Sequence, residues 1–164
     1  MGKVGRMPFR KVESNRDKTM KWTIYAIGKP ALDFAKRGVA EYEKRLSRHG
    51  GLELVTFREA GQDENSRRLL ESSEGSLRIV LDERGQLLTT GEFVSQVAAW
   101  ELDRVKRVAI LIGGADGHSE VVRQSADLLL GLSRLTLQHE LALVVFLEQL
   151  YRVGTVRRGE PYHR

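Results

Sequence analysis

An α/β fold, a single domain with a mainly parallel sheet and helices on both faces, is predicted by three features of the chain. Short β-rich runs alternate with segments of helical spacing from residue 22 to residue 150. Val108-Ala109-Ile110-Leu111-Ile112 is a continuous apolar run that stops at Gly113-Gly114, the pattern of a strand buried on both faces. The intervals between the β-rich runs suit crossover helices, which parallel neighbours need and hairpins do not.

The elements follow in order. Trp22–Ile27 is the first strand, closed by Gly28-Lys29-Pro30. Leu32–Leu46 sets Leu32, Ala35, Val39, Tyr42 and Leu46 at helical spacing with charge opposite, and Gly50-Gly51 ends it. Leu52–Phe57 alternates as a second strand. Residues 58–76 are polar, with a short helical core at Arg67–Leu70; Arg58, Arg67 and Arg68 are either phosphate contacts or a solvated face. Leu77–Leu81 is the third strand, closing on Asp82-Glu83-Arg84-Gly85. Thr90 is the expected N-cap of a helix from Gly91 to about Leu102, with Phe93, Val97 and Trp100 inward. After the Val108 strand, Ser119 is the expected N-cap of a helix reaching Leu130, with Val122, Ala126 and Leu129 on one face. Leu141–Leu150 is more apolar than one amphipathic face requires.

Composition sets bounds on function. With 164 residues and no Gly/Ser- or Pro-rich linker after Met20, one domain is expected. There is no cysteine, so neither a disulfide framework nor a thiolate metal site is possible. The four histidines, His49, His118, His139 and His163, form no metal-ligand spacing. No apolar run is long enough to cross a bilayer and no signal-peptide pattern opens the chain, so an intracellular, metal-free protein is expected. The net charge of +5 is localised: residues 1–21 hold seven of the 27 Lys/Arg and two of the 22 Asp/Glu, leaving 20 of each in the remainder. Residues 1–20 are therefore expected to be a basic leader, a disordered tail or coding sequence upstream of the true start, with a nucleic-acid-binding arm as the other reading.

The usual nucleotide fingerprints are missing. Neither G-x-G-x-x-G after the first strand nor G-x-x-x-x-G-K-[ST] occurs, which disfavours dinucleotide dehydrogenases and P-loop enzymes, and no serine nucleophile elbow appears. The glycines of Gly113-Gly114-Ala115-Asp116-Gly117 instead allow a sharp turn and close ligand approach where α/β sheets bind ligands, at a strand's carboxyl end.

Four motifs in the last third then converge. They are Leu-Ile-Gly-Gly-Ala-Asp-Gly at 111–117, Leu-Ser-Arg-Leu-Thr-Leu-Gln-His at 132–139, Leu-Glu-Gln-Leu-Tyr-Arg at 147–152, and Gly-Glu-Pro-Tyr-His-Arg at 159–164. In order and spacing they resemble the RlmH family of SPOUT-class methyltransferases, and the resemblance runs from Met20 to Arg164. It implies an open α/β sheet whose C-terminal part forms a trefoil knot, a rare topology that periodicity alone would not suggest. It implies methylation of N3 of a pseudouridine in helix 69 of bacterial 23S ribosomal RNA, with S-adenosyl-L-methionine as methyl donor.

The cofactor residues implied are Leu81, Gly113, Gly114, Ser133, Arg134, Leu135, Thr136, Leu137 and Gln138. Leu81, Leu135 and Leu137 suit the apolar walls that adenine needs. The catalytic residues implied are His163 as base or orienting group, Tyr162 as a stacking or hydrogen-bonding partner, Arg152 for developing negative charge or a phosphate, and Glu148 to orient Arg152. The plain alternative for Glu148 and Arg152 is an exposed i,i+4 helix pair, and for a terminal histidine a frayed end. The resemblance further implies a cytoplasmic homodimer with the tail of one subunit reaching the other.

The chain departs from the family pattern at Leu143, where many relatives carry arginine, at Gln138 in place of proline, and at Val153-Gly154. An arginine lost at 143 would weaken RNA contact or pass its role to Arg157 or Arg158, and it supports a competing reading as a catalytically impaired ribosome- or RNA-binding protein. A nearly neutral domain binds free RNA weakly, which favours the assembled ribosome as substrate.

Overall fold

The computed structural model describes residues 20–163, with the backbone alone at His163, so the basic segment 1–19 lies outside the described residues. Met20, the first described residue, is buried in the core.

Five strands form one sheet: β1 (Lys21–Ile27), β2 (Glu53–Phe57), β3 (Leu77–Leu87), β4 (Arg107–Ile112) and β5 (Leu128–Gly131). Their order is β2-β1-β4-β3-β5, and all four pairings are parallel. The connections are α1 (Asp33–Ser47), α2 (Gln62–Ser72), α3 (Thr90–Leu102) and α4 (Glu120–Gln124); α5 (His139–Arg157) and a 3-10 turn (Pro161–His163) follow.

The two-residue period of the strands divides the core into two layers. Ile24, Ala26, Ile79, Leu81, Val108, Ile110, Leu128 and Leu130 share one face with Val39 of α1, Phe93, Val97 and Trp100 of α3, and Phe146, Leu147 and Leu150 of α5. Val80, Ala109 and Leu111 face the other way, onto Leu69 of α2 and Val122 of α4. The run 108–112 is apolar throughout because β4 is central and both its faces are covered. The helices α1 and α5 pack closely: a Cβ on Gly38 would stand 2.9 Å from Cγ1 of Val144.

Three expectations are corrected. The helix expected from Ser119 to Leu130 stops at Gln124, and Leu128–Gly131 is instead the edge strand β5. Ser119 does cap it, accepting from the N–H of Val122, but the leucine run 128–130 ends at glycine and satisfies its backbone groups on β3. The N-cap of α3 is Thr89, not Thr90, because Glu92 stands three residues on and accepts a hydrogen bond from the Thr89 N–H at 2.7 Å, completing a capping box. Finally, β3 does not end at Leu81 but runs to Leu87.

That extension shapes the functional edge. Leu130 pairs with both Leu81 and Gln86, so residues 82–85 arch across β5 between the two pairings. Gly85 makes the crossing possible: a Cβ there would lie 2.5 Å from the Gly131 nitrogen and 2.7 Å from the Leu129 carbonyl carbon, inside backbone that has no room to yield.

Candidate functional site

The middle of β3, where the strand arches, and the carboxyl ends of β4 and β5 open into one cavity of about 690 Å³. Within β3 the wall is Leu81 to Arg84, from the end of β4 it is Ile112 to His118, and after β5 it is the loop from Leu132 through Gln138. Turn chemistry holds each loop. The N–H of Gly117 donates to the Gly114 carbonyl at 3.0 Å, and Gly117 itself has φ of 69°. A Cβ on Gly113 would meet the Gly117 backbone at 3.1 Å, so glycine here closes the turn on itself as well as bordering the cavity. In the third loop Ser133 Oγ accepts from the N–H of Leu135 at 2.9 Å, and Thr136 Oγ1 donates to Glu83 at 2.7 Å, tying the β5 loop to the β3 arch. Gln138 caps α5, its Oε1 accepting from Glu140 and Leu141 at 2.9 and 3.0 Å, a service that proline cannot perform.

Beneath the loops lies a charged cluster. Arg123 donates to Asp82 at 2.7 Å with their side chains 16% and 6% exposed, and the N–H of Arg84 donates to the other Asp82 oxygen at 2.9 Å. His118 is 4% exposed beside them, with Nε2 3.2 Å from the Leu111 carbonyl and Nδ1 without a partner among the described residues. Burial pushes its pKa below the usual histidine value, against the opposing charge of Asp82. A neutral imidazole donating from Nε2 leaves Nδ1 as an unprotonated acceptor.

A second group sits further along α5. Arg152 donates twice to Glu148 Oε1, at 2.9 and 2.6 Å, and the Tyr162 hydroxyl donates to the same oxygen at 3.3 Å. The Arg152 guanidinium lies 4.9 Å from the Tyr162 ring centre, and Tyr42 O–H is 3.3 Å from that of Tyr162. Arg45 stands within 5.5–5.9 Å of the rings of Tyr42, Tyr151 and Tyr162. Burial, then the hydroxyl of Tyr42 and the charge of Glu148, push the Tyr162 phenol well above its ordinary pKa, so it is a neutral donor. Glu148 in turn holds Arg152 firmly charged.

Of the cofactor residues expected from sequence, all but Arg134 border the cavity; Arg134 is exposed at its outside. Glu148, Arg152 and Tyr162 come together with each other but not with the cavity, and the side chain of His163 lies outside the described residues. From Ala142, which borders the cavity, to Arg152 the helix rises roughly 15 Å. Leu143 is 3% exposed in the core, so the position faces neither the cavity nor solvent. Arg157 is paired with Glu101 and Arg158 with Glu160, while Arg67 and Arg68 are held by Glu64 within α2. Sequence reasoning missed Asp82, His118 and Arg123. Asp82 carried a signal, since it is the first charged residue after the apolar run that ends at Leu81; nothing local distinguished Arg123.

A family model described as a predicted SPOUT methyltransferase matches residues 20–163. The chain belongs to that family. Ribosomal RNA large subunit methyltransferase H of Thermus thermophilus is 52% identical over 145 residues, covering 88% of this chain and 99% of the relative. The protein of the same name from Anaeromyxobacter sp. strain K is 40% identical over 154 residues, 88% of this chain and 100% of the relative. Among solved structures, the SpoU methyltransferase AviRb of Streptomyces viridochromogenes, in complex with the cofactor AdoMet, superposes with a TM-score of 0.44 at 14% identity, covering 89% of this chain and 62% of that one.

Proposed function

We propose that this SPOUT methyltransferase uses S-adenosyl-L-methionine to methylate N3 of a pseudouridine in helix 69 of 23S ribosomal RNA, acting on assembled ribosomes as a cytoplasmic homodimer. The observation that carries the reading is the cavity itself. Three loops with apolar walls at Leu81, Leu135 and Leu137, two glycines at Gly113 and Gly114, and turn-ordered backbone around Ser133, Thr136 and Gln138 suit a flat adenine and its ribose. Its volume of about 690 Å³ falls within the usual range for such ligands. The absence of a P-loop lysine agrees with a sulfonium ligand, which has no phosphate to cradle. The bound donor supplies an activated methyl group.

The chain's own residues then hold the acceptor and its proton. An imide N3–H is weakly acidic, so transfer needs the nitrogen in line and its proton removed. Tyr162, kept as a phenol, can stack on the base and donate a hydrogen bond to it, not remove a proton. Arg152, oriented by Glu148 and lying on the Tyr162 ring, brings positive charge to the same spot. His163, next in the chain, is the proposed base. Because this group and the cavity are separated along α5 within one chain, the tail of one subunit is proposed to complete the cavity of the other. Exposed apolar residues, Leu135 at 75% on the cavity wall and Leu141 at 37% in the first turn of α5, suit such an interface. We also read the arch 82–85 across β5 as part of the loop through which a trefoil knot would thread.

The test is mass spectrometry of nucleosides after incubation of the protein with ribosomes and methyl-labelled S-adenosylmethionine. Labelled N3-methylpseudouridine is expected from ribosomes, with His163→Ala and Arg152→Ala both lowering it. Equal labelling of naked 23S RNA refutes the ribosome requirement, and no labelled product from either refutes the transferase reading.

A further inference from the structure

Glu59 lies outside every group described so far, in the loop between β2 and α2. Its carboxylate is fixed from two sides. Oε1 accepts from the N–H of Gly61 at 3.0 Å and from the side-chain amide of Asn65. Asn65 is buried, and its own oxygen accepts from the N–H of Ala60 at 3.1 Å, so the amide that orients Glu59 is itself locked to the loop. The amide of Asn65 and the N–H of Gly61, with a smaller contribution from His139, hold the Glu59 carboxyl below its ordinary pKa.

The other oxygen, Oε2, accepts no hydrogen bond among the described residues, and Glu59 itself is not one of the residues that line the cavity. Oε2 lies against Gly114, where an added Cβ would overlap it, and Gly114 and His139 both border the cavity. Among the described residues no lysine or arginine forms an ion pair with Glu59. An oriented, ionised carboxylate with one oxygen uncommitted, beside the glycine turn of a ligand cavity, is a site for positive charge.

We propose that Glu59 supplies the counter-charge for the cationic methionyl end of the ligand in this cavity, with Asn65 as its positioning residue. The inference rests on the reading of the ligand as S-adenosylmethionine, whose sulfonium and ammonium are its cationic groups. The adenosine half takes the apolar loops, and the charged half lies toward Gly113-Gly114 and Glu59. Glycine at 114 then has a definite purpose, since a side chain there would displace the carboxylate.

Calorimetric titration of the full-length protein and of Glu59→Gln separates this from a role in loop packing. Glutamine keeps an oxygen to accept from Gly61 and Asn65, and its melting temperature serves as the check on folding. The probes are S-adenosylmethionine and 5′-methylthioadenosine, which shares the adenosine and sulfur but carries no charge. Glu59→Gln is expected to weaken S-adenosylmethionine by about five- to tenfold and to leave 5′-methylthioadenosine within about twofold. In the wild-type protein, added salt is expected to weaken the charged ligand more than the neutral one, a comparison that needs no variant. An unchanged affinity for S-adenosylmethionine, or an equal loss for both ligands, overturns the proposal. Failure of the wild-type protein to bind either ligand overturns the cofactor reading itself and this inference with it.

Discussion

The Asp82–Arg123 pair under the cavity offers a quantitative test of how this edge of the sheet is held. With side chains 6% and 16% exposed and 2.7 Å between nitrogen and oxygen, neither charge can be rehydrated without opening the loops. Removing one partner of such a pair typically costs about 3–5 kcal/mol, most of it the penalty of stranding the other charge. The two ends are not equivalent. Arg123 has a second carboxylate, Glu120, at 3.6 Å, whereas Asp82 retains only the N–H of Arg84. Arg123→Met should therefore cost about 3 kcal/mol and Asp82→Asn about 2 kcal/mol. In the double variant no charge is stranded, so the loss should fall short of the sum by about 2 kcal/mol. Urea unfolding of the four proteins at one protein concentration, with unchanged slopes, measures the cycle. Single losses that add to within about 0.5 kcal/mol would refute the idea that the pair acts as a buried unit.

Other expectations concern single positions. Gly85→Ala forces a Cβ into the β5 backbone and should cost about 3 kcal/mol, whereas Gly91→Ala, whose Cβ would come no closer than 4.0 Å to Thr89, should gain about 0.5 kcal/mol; thermal melting of the two should shift in opposite directions. Leu143→Arg places a guanidinium in the core and should cost about 4 kcal/mol, so a variant that melts like the wild type would show that position 143 is not buried as described. The lowered pKa of His118 gives a sign for pH dependence: the unfolded chain protonates it near pH 6.5 and the folded chain only at lower pH. Its contribution to stability is thus constant above about pH 7 and lost as pH falls through 6.5 toward the folded pKa; His118→Leu should flatten that part of the curve in denaturant titrations.

Much of this was legible from the chain because it depends on near neighbours. The run at 108–112 announces a doubly covered strand, the glycines after it announce a turn at the ligand edge, and the motifs from 111 to 164 announce the family. The errors fall where local and tertiary preferences conflict. Residues 128–130 fit a helix by spacing, yet an open edge of β3 was available and they became β5. The cap at Thr89 is a different case: Thr89 and Thr90 are equal caps by type, and Glu92, three residues after Thr89, is a local signal for Thr89 that the sequence does contain.

What the sequence determined by itself is periodicity, composition and motif: an α/β chain of parallel strands, a glycine turn and a family. What the tertiary structure alone decided is adjacency. Asp82 meets Arg123 across 41 residues, Glu83 meets Thr136 across 53, and Tyr42 meets Tyr162 across 120. Such contacts depend on how the strands are ordered and on how closely β3 wraps β5. Neither leaves a local signal, because the free energy that selects them comes from burying surfaces contributed by distant parts of the chain.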